Sequence, residues 1–408
     1  MKEVLTLQFG SASTRLAEEL WRSSLFESAN DKLNETSDDL DTTLKYRNGR
    51  CVPRAVAFGC KGDFNRGKPQ NRTNEASVWD GNVQIVSKET DSNEIATIIP
   101  PRSVVEVNEF RSFDPLNNYY DGIASVDGKI RRETLDIACD AVRVALEECD
   151  SIQGIQAIVD IDSTWGGFAT EVIKEIREEC PSTFLCCLGL DERYPLVAQI
   201  GSFDQSKQNS RRAINIASSL LSLNELSSLF VPFSPTSYSS GSIAWDCMSS
   251  IYRSSGDSHM RDLVFRPSSK FFELPGQNKI SIWDSNSSLP AAGTNRSTSR
   301  KFHFQFVTLR GTLDYAKPPL ISGSPFGYWQ SAIIPKSLHL PNTLARPCVH
   351  AVSSLSITDR VSHYLEDLAR NVLNVDRRVV HEFTQSGMSC DGGRDMHSEL
   401  MTLCDSSS

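Results

Sequence analysis

The stretch from Cys149 to Pro181, CDSIQGIQAIVDIDSTWGGFATEVIKEIREECP, constrains the fold more than any other part of the chain. Ile155, Ala157, Val159 and Ile161 alternate, and Ile158 makes the other face apolar as well. A strand apolar on both faces belongs inside a parallel sheet covered on both sides. Asp162 to Gly167 reads as a turn cluster with two adjacent glycines. From Thr170 the spacing is helical, with Val172, Ile173 and Ile176 on one face and Glu171, Lys174, Glu175, Arg177 and Glu178 elsewhere. A strand leading through glycines into a helix is a general geometry for holding a phosphate, because backbone N–H groups and the positive end of the helix dipole converge there. Asp160 and Asp162 alternate at the strand end and share a face. A capping role at the following helix is the expected use of this pair.

The same unit recurs at the N-terminus. Residues 3–9 read as an apolar strand, Gly10-Ser11-Ala12-Ser13 as a turn of small residues, and Ala12, Leu16, Leu20 and Trp21 as one face of a helix. Further strands are expected at 51–58 (CVPRAVAF), 183–190 (TFLCCLGL) and 229–232. Helices are expected at 131–149, with Leu135, Ala138, Val142, Ala145, Leu146 and Cys149 as its stripe, and at 211–229. Beyond these, 239–250 reads as the start of a connecting helix, 301–311 as a strand and 361–372 as a late helix. Polar segments interrupt the first half at about 28–50 and 66–98. The expected division is an α/β domain over 1–235, a second domain over 236–383 and a flexible tail over 384–408.

Composition excludes several classes. A net charge of −9 does not suit a nucleic-acid binder, which needs a basic surface for phosphates. The 11 cysteines include no C-x-x-C pair, so neither a zinc site nor a disulfide framework is expected. Reduced thiols in the cytosol are the expectation. No run approaches the roughly 18 apolar residues of a membrane span, and MKEVLTLQFG begins a strand without a signal-peptide core or a basic leader. The sequons at Asn34, Asn71, Asn286 and Asn295 carry little weight in a cytosolic chain.

Several runs carry a resemblance. CDSIQGIQ and IREECP resemble the tubulin runs Cys-Asp-x-Leu-Gln-Gly-Phe-Gln and Ile-Arg-Glu-Glu-Tyr-Pro. MKEVLTLQFG resembles the tubulin start, VPRA at 52–55 a tubulin strand, and Asn117-Asn118-Tyr119-Tyr120-Asp121-Gly122 the tubulin Asn-Asn-Trp-x-x-Gly loop. The alternative reading of that loop is a turn capping the next helix. The runs occur in tubulin order, and the resemblance covers about the first half of the chain; VTLRG at 307–311 resembles a run of Misato proteins. The mixture of kept scaffold and eroded loop resembles the Misato family of tubulin-like proteins. The implied fold is a tubulin-like, Rossmann-type α/β nucleotide-binding domain followed by an α+β second domain.

The resemblance implies a degenerate nucleotide site at Gly10, Ser11, Asn117, Asn118, Gly122, Thr164, Gly166 and Gly167. Against the tubulin pattern the glycine run is reduced to Gly166 and Gly167, Gly59 and Lys61 stand where magnesium-serving carboxylates are expected, and Arg212 and Pro232 stand where two asparagines would read the guanine edge, with Asn209 and Asn215 nearby. A lysine offers no oxygen to a hard cation, and proline has no side-chain donor or acceptor. No catalytic residue, no metal and no cofactor is therefore expected, and weak GTP binding is the most the site would retain. WGGFA is not the G-x-G-x-x-G of a Rossmann oxidoreductase, and no G-x-S-x-G elbow marks a hydrolase. The function implied is non-enzymatic, in mitochondrial partitioning, distribution, morphology and inheritance. The implied place is the cytoplasm and the cytosolic face of the mitochondrial outer membrane, with protein partners there, and with the cytosolic chaperonin and tubulin as further candidates. Two alternatives differ in class: a GTPase with magnesium held by Asp63 or Asp162, and a filament-forming subunit.

Overall fold

The computed structural model describes residues 3–31, 42–47, 50–61, 64, 98–111, 115–124, 129–191, 202–234, 302–310, 328–334 and 351–407, with positions 241, 242, 245, 246, 249, 252 and 260. The helix expected at 239–250, most of both polar segments, Asp63 and the four sequons lie outside this set or only partly within it.

Six strands form one parallel sheet: β1 (Glu3–Phe9), β4 (Ala55–Lys61), β5 (Val104–Arg111), β6 (Ile152–Asp160), β7 (Phe184–Leu190) and β8 (Leu229–Phe233). Their order is β5-β4-β1-β6-β7-β8, and all five pairings are parallel. A short hairpin of β2 (Leu44–Arg47) and β3 (Arg50–Pro53) stands beside it, so VPRA is divided between β3 and β4. Chain order runs outward from β1 in one direction, then outward from β6 in the other. The switch point between β1 and β6 is where an open α/β sheet presents a ligand crevice, at the carboxyl ends of the strands.

Every residue of β1 and β7 is buried, as the two-faced apolar patterns require. One face carries Leu5, Leu7, Phe9, Ile155, Ala157 and Val159 into a core with α2 (Arg132–Glu147), α3 (Thr164–Glu179) and α4 (Ser202–Leu226). The other carries Val4, Ile158 and Leu188 against α1 (Ser11–Asp31) and against Trp245, Tyr252 and Met260. In α2 the buried residues Leu135, Ala138, Cys139 and Val142 follow the expected stripe.

A second sheet has the order β10-β9-β11, from β9 (Phe302–Arg310), β10 (Tyr328–Ile334) and β11 (Ala351–Thr358). β9 pairs parallel with β10 and antiparallel with β11. Three helices follow: α5 (Asp359–Leu373), α6 (Arg377–Gln385) and α7 (Gly392–Ser407). The expectation of a flexible tail over 384–408 is corrected here. Met396, Leu400 and Cys404 of α7 are buried in the same cluster as Val361, Leu365 and Leu368 of α5 and Ala213, Ile216 and Leu220 of α4. The serines, glycines and methionines that read as a fraying tail supply a helix whose apolar side is covered.

Candidate functional site

The crevice at the switch point is built around Gly10, which follows β1 with φ +105, a conformation that L side chains rarely adopt. A Cβ there would also strike the Asp160 carboxylate, 2.6 Å from its carbon, and lie 2.9 Å from Cδ1 of Trp165. Asp160 is the last residue of β6 and is buried. Its Oδ2 accepts from the Ala12 N–H at 3.0 Å and its Oδ1 from the Ser13 N–H at 2.7 Å. The hydroxyls of Ser13 and Thr14 turn back to the Gly10 carbonyl at 2.9 and 2.7 Å. Asp160 thus caps a helix 148 residues away in sequence; the expectation that it caps the helix after it is corrected.

That following helix is capped by Ser163, whose hydroxyl accepts from the Trp165 N–H at 3.3 Å and donates to the Asp160 carbonyl at 2.9 Å. α3 therefore starts at Thr164, and the glycines expected in a loop lie inside its first turn. The Thr164 N–H donates to the Leu116 carbonyl at 3.1 Å and the Gly166 N–H to the Ser163 carbonyl at 3.2 Å. At these two helix starts the N–H groups of Ala12, Ser13, Thr164, Trp165 and Gly166 bond to the chain itself.

Gly166, Gly167 and Gly122 permit close packing. A Cβ on Gly167 would meet the Tyr119 carbonyl oxygen and lie 3.1 Å from its carbon. One on Gly166 would meet the Ser219 hydroxyl and lie 2.9 Å from the Ser219 Cβ, and one on Gly122 would lie 2.6 Å from the Phe168 nitrogen. The first turn of α3 is thereby sandwiched between the 3-10 turn Tyr119–Gly122 and α4. Above Gly10, the Trp165 indole packs edge-on to Phe110 and Phe168, with centroids 5.1 and 5.9 Å apart, and Phe9 stacks on Phe58 at 4.5 Å. Aromatic rings fill the volume beside the turn.

The Asn117–Gly122 loop joins the same end of the sheet. Asn118 accepts from the Tyr120 N–H at 3.0 Å and donates to the Ser386 hydroxyl at 3.0 Å, and its own N–H reaches the Thr164 hydroxyl at 3.3 Å. Asn215 is fully buried and binds backbone: it accepts from the Tyr119 N–H at 2.8 Å and donates to the carbonyls of Asn117 at 2.8 Å and Asp162 at 3.1 Å. The Tyr119 hydroxyl donates to Ser222 at 2.9 Å, and burial pushes its phenol above the ordinary range. Tyr120 packs edge-on against Phe383 of α6 at 6.2 Å.

On the side where a base would be read, Arg212 of α4 is held by the Asp191 carboxylate and lies 3.7 Å from that of Asp162. Burial lowers its pKa from the ordinary guanidinium value, while Asp162 opposes the shift. Pro232 sits in β8 paired with Gly189. Gly59 is an interior residue of β4 paired with Glu106, and Lys61 is exposed at its end. Asp162, one of the two magnesium candidates, instead faces Arg212; the other, Asp63, lies outside the described residues. Among the described residues no group of three or more His, Cys, Asp or Glu side chains is placed to hold a metal.

Contacts through Trp165, Thr164 and Asn215 link Gly10, Asn117, Asn118, Gly122, Thr164, Gly166 and Gly167 at the carboxyl end of the sheet, and Ser11 is exposed beside Gly10. Sequence reasoning missed Asp160 as the partner of α1, Trp165 as the residue closing Gly10, and Asn215 as the clamp on the loop. The one local signal for the first was the absence of an acidic residue in the first turn of α1.

Comparison with known proteins agrees with this architecture. A family model described as a tubulin domain matches residues 91–259. Protein dml-1 of Neurospora crassa is 25% identical over 382 residues, covering 79% of this chain and 67% of the relative. Protein DML1 of Coccidioides immitis is 25% identical over 279 residues, covering 57% and 52%. Protein dml1 of Schizosaccharomyces pombe is 52% identical over a short segment of 40 residues, 10% of this chain and 9% of the relative. In the first two matches the aligned part spans 67% and 52% of the relative's length. The tubulin-domain match and the DML1 relatives, together with a parallel sheet whose switch point carries Gly10 and the 115–122 loop, bear out the chain's resemblance to the Misato (DML1) family of tubulin-like proteins.

Proposed function

We propose that this chain is a non-enzymatic, tubulin-shaped protein that acts in the partitioning, distribution, morphology and inheritance of mitochondria, working through its surfaces from the cytosolic face of the outer membrane. Similarity to the DML1 proteins of the Misato family supports the mitochondrial part. The observation that carries the non-enzymatic part is the state of the α3 start: its Thr164, Trp165 and Gly166 N–H groups bond to the chain itself, and the first turn is buried. Phosphoryl transfer relies on positioned donors and a metal around the phosphates. Here the donors are engaged, and Asp162 pairs with Arg212. Among the described residues no helix is long and apolar enough to cross a membrane. The proposed attachment to the organelle is through a protein partner, with the cytosolic chaperonin and tubulin as further candidates.

Two measurements test this reading. The first is the nucleotide content of the purified chain, followed by calorimetric titration with GTP and magnesium. Absence of bound nucleotide and of titration heat is expected; tight, magnesium-dependent binding would overturn the non-enzymatic reading in favour of a GTPase. The second is imaging of mitochondria in cells depleted of the chain. Unequal or clumped distribution at division, restored by re-expression, is expected, and normal distribution would remove the mitochondrial assignment.

A further inference from the structure

We propose that the turn between β1 and α1 is an oxyanion cradle whose ligand is supplied by the chain itself, the carboxylate of Asp160, standing where a nucleotide phosphate would bind. The inference deepens the proposed reading of the crevice and rests on it only for the identity of the excluded ligand.

The register of the sheet sets the geometry. Phe9 lies beside Val159, so the next residues, Gly10 and Asp160, emerge level with one another at the switch point. The two carboxylate oxygens take one bond each from the consecutive N–H groups of Ala12 and Ser13. This is the arrangement in which a helix N-terminus holds a phosphate, with two oxygens on two adjacent orphan donors. α1 runs for 21 residues and has no acidic residue in its first turn. Asp160 therefore provides a negative charge opposite its dipole. The Ser163 hydroxyl fixes the Asp160 backbone from the next turn. Gly10 leaves the room in which the carboxylate sits. An incoming phosphate would have to displace this group and would meet like charge from the Asp160 carboxylate.

The cradle also joins two parts of the fold. The start of α1 and the end of β6 are held together by the same two bonds, so any ligand that entered the crevice would have to part them.

The experiment uses inorganic phosphate as the probe, with the full chain in a phosphate-free, carboxylate-free buffer at fixed ionic strength. The readouts are the backbone amide shifts of Ala12 and Ser13 and the melting temperature. The wild type is expected to show no phosphate-dependent shift at these amides. Asp160→Ala is expected to melt several degrees lower, to bind phosphate with a Kd of about 1 mM, and to recover part of its lost melting temperature as phosphate is added. Acetate, the nearest small analogue of the deleted side chain, is expected to act likewise. Phosphate stabilises most proteins slightly by exclusion from their surfaces, so only a gain larger than that of the wild type counts. Equal gains in both proteins, wild-type shifts at Ala12 and Ser13, or a folded Asp160→Ala that stays silent would each overturn the proposal. Should Asp160→Ala fail to fold, Asp160→Asn keeps the shape and removes the charge. Its melting temperature is expected to rise with phosphate more than that of the wild type, and an equal or smaller rise would overturn the proposal. Magnesium-dependent GTP binding by the wild type would defeat the non-enzymatic reading, and if these two amides stayed unmoved it would also overturn the placing of Asp160 at the phosphate position.

Discussion

The substitution Gly167→Ala separates a packing glycine from a phosphate-cradling one by the sign of its effect. Inside a helix, Gly→Ala stabilises by about 1 kcal/mol when nothing opposes it. Here the new methyl would meet the Tyr119 carbonyl oxygen and lie 3.1 Å from its carbon and 3.3 Å from the Gly122 Cα. All three are backbone atoms, so no rotamer change relieves the contact. Either α3 or the Tyr119–Gly122 turn must shift, and overpacking of this kind costs about 1–3 kcal/mol. A displaced turn also weakens the Tyr119 N–H bond to Asn215 at 2.8 Å and the Asn118 N–H bond to Thr164 at 3.3 Å, each worth about 1 kcal/mol. Set against the helix gain, the net loss is about 2–4 kcal/mol. With an m-value of roughly 3 kcal/mol/M this lowers the urea midpoint by about 1 M. Gly393→Ala, in the first turn of α7 with nothing nearer than the Val372 carbonyl oxygen at 3.9 Å, is the control and is expected to be neutral or slightly stabilising. Gly166→Ala falls between the two, because its obstacle is the Ser219 side chain, 2.9 Å away at Cβ. Combining it with Ser219→Gly should recover part of the loss. A Gly167→Ala protein as stable as the wild type, with Gly393→Ala behaving as stated, would refute the account of how α3 is docked.

Further outcomes follow from the same contacts. Asn215→Ala orphans a buried N–H and two carbonyls at once, and a destabilisation of about 2–4 kcal/mol is expected in chemical denaturation; a loss below about 0.5 kcal/mol would show that the loop is held elsewhere. Deleting residues 384–408 uncovers the core around Leu400 and Cys404, so the truncated chain should bind a hydrophobic dye and melt several degrees lower, whereas removal of a frayed tail would change neither. Cys186 and Cys187 are fully buried, and burial pushes both thiols up, that of Cys187 to about 12. Because these folded pKa values lie above the unfolded one, their contribution is complete below about pH 8.5 and is lost as pH rises. Stability should therefore fall above that pH by up to about 1.4 kcal/mol per unit per thiol, and Cys186→Ala/Cys187→Ala should flatten the alkaline limb. Exposed Cys390 should react with a thiol reagent well before either of them in the native state.

The parts of the fold legible in the sequence were those fixed by local pattern. The two-faced apolar runs at 3–9 and 184–190 could only be interior strands, and the stripe of α2 could only be a helix against a sheet. The starts of helices were less legible, because they depend on which group supplies the cap. At 162–167 the glycines suggested a loop, yet Ser163 caps the chain there and the helix runs through both of them. Glycine is unfavourable in a helix by about 1 kcal/mol, a cost offset when its lack of a Cβ lets two backbones touch. That gain is visible only once the 115–122 loop and α4 are in place.

The same distinction governs the crevice. Gly10, Thr164, Gly166 and Gly167 keep the residue types of a phosphate site, and from residue type alone they read as its remnants. Each is now required by something else: Gly10 by the Asp160 carboxylate and the Trp165 ring, Thr164 by the Asn118 N–H, and the glycine pair by Tyr119 and Ser219. A crevice at a switch point collects backbone donors whatever the chain does with them, and those donors must be satisfied once water is excluded. A nucleotide satisfies them from outside and makes the site switchable by its presence. A side-chain carboxylate satisfies them permanently and makes the site a fixed joint between α1 and β6. If this chain uses the second solution, its conformation should not depend on nucleotide state, and any control over what it does must act at its outer surfaces.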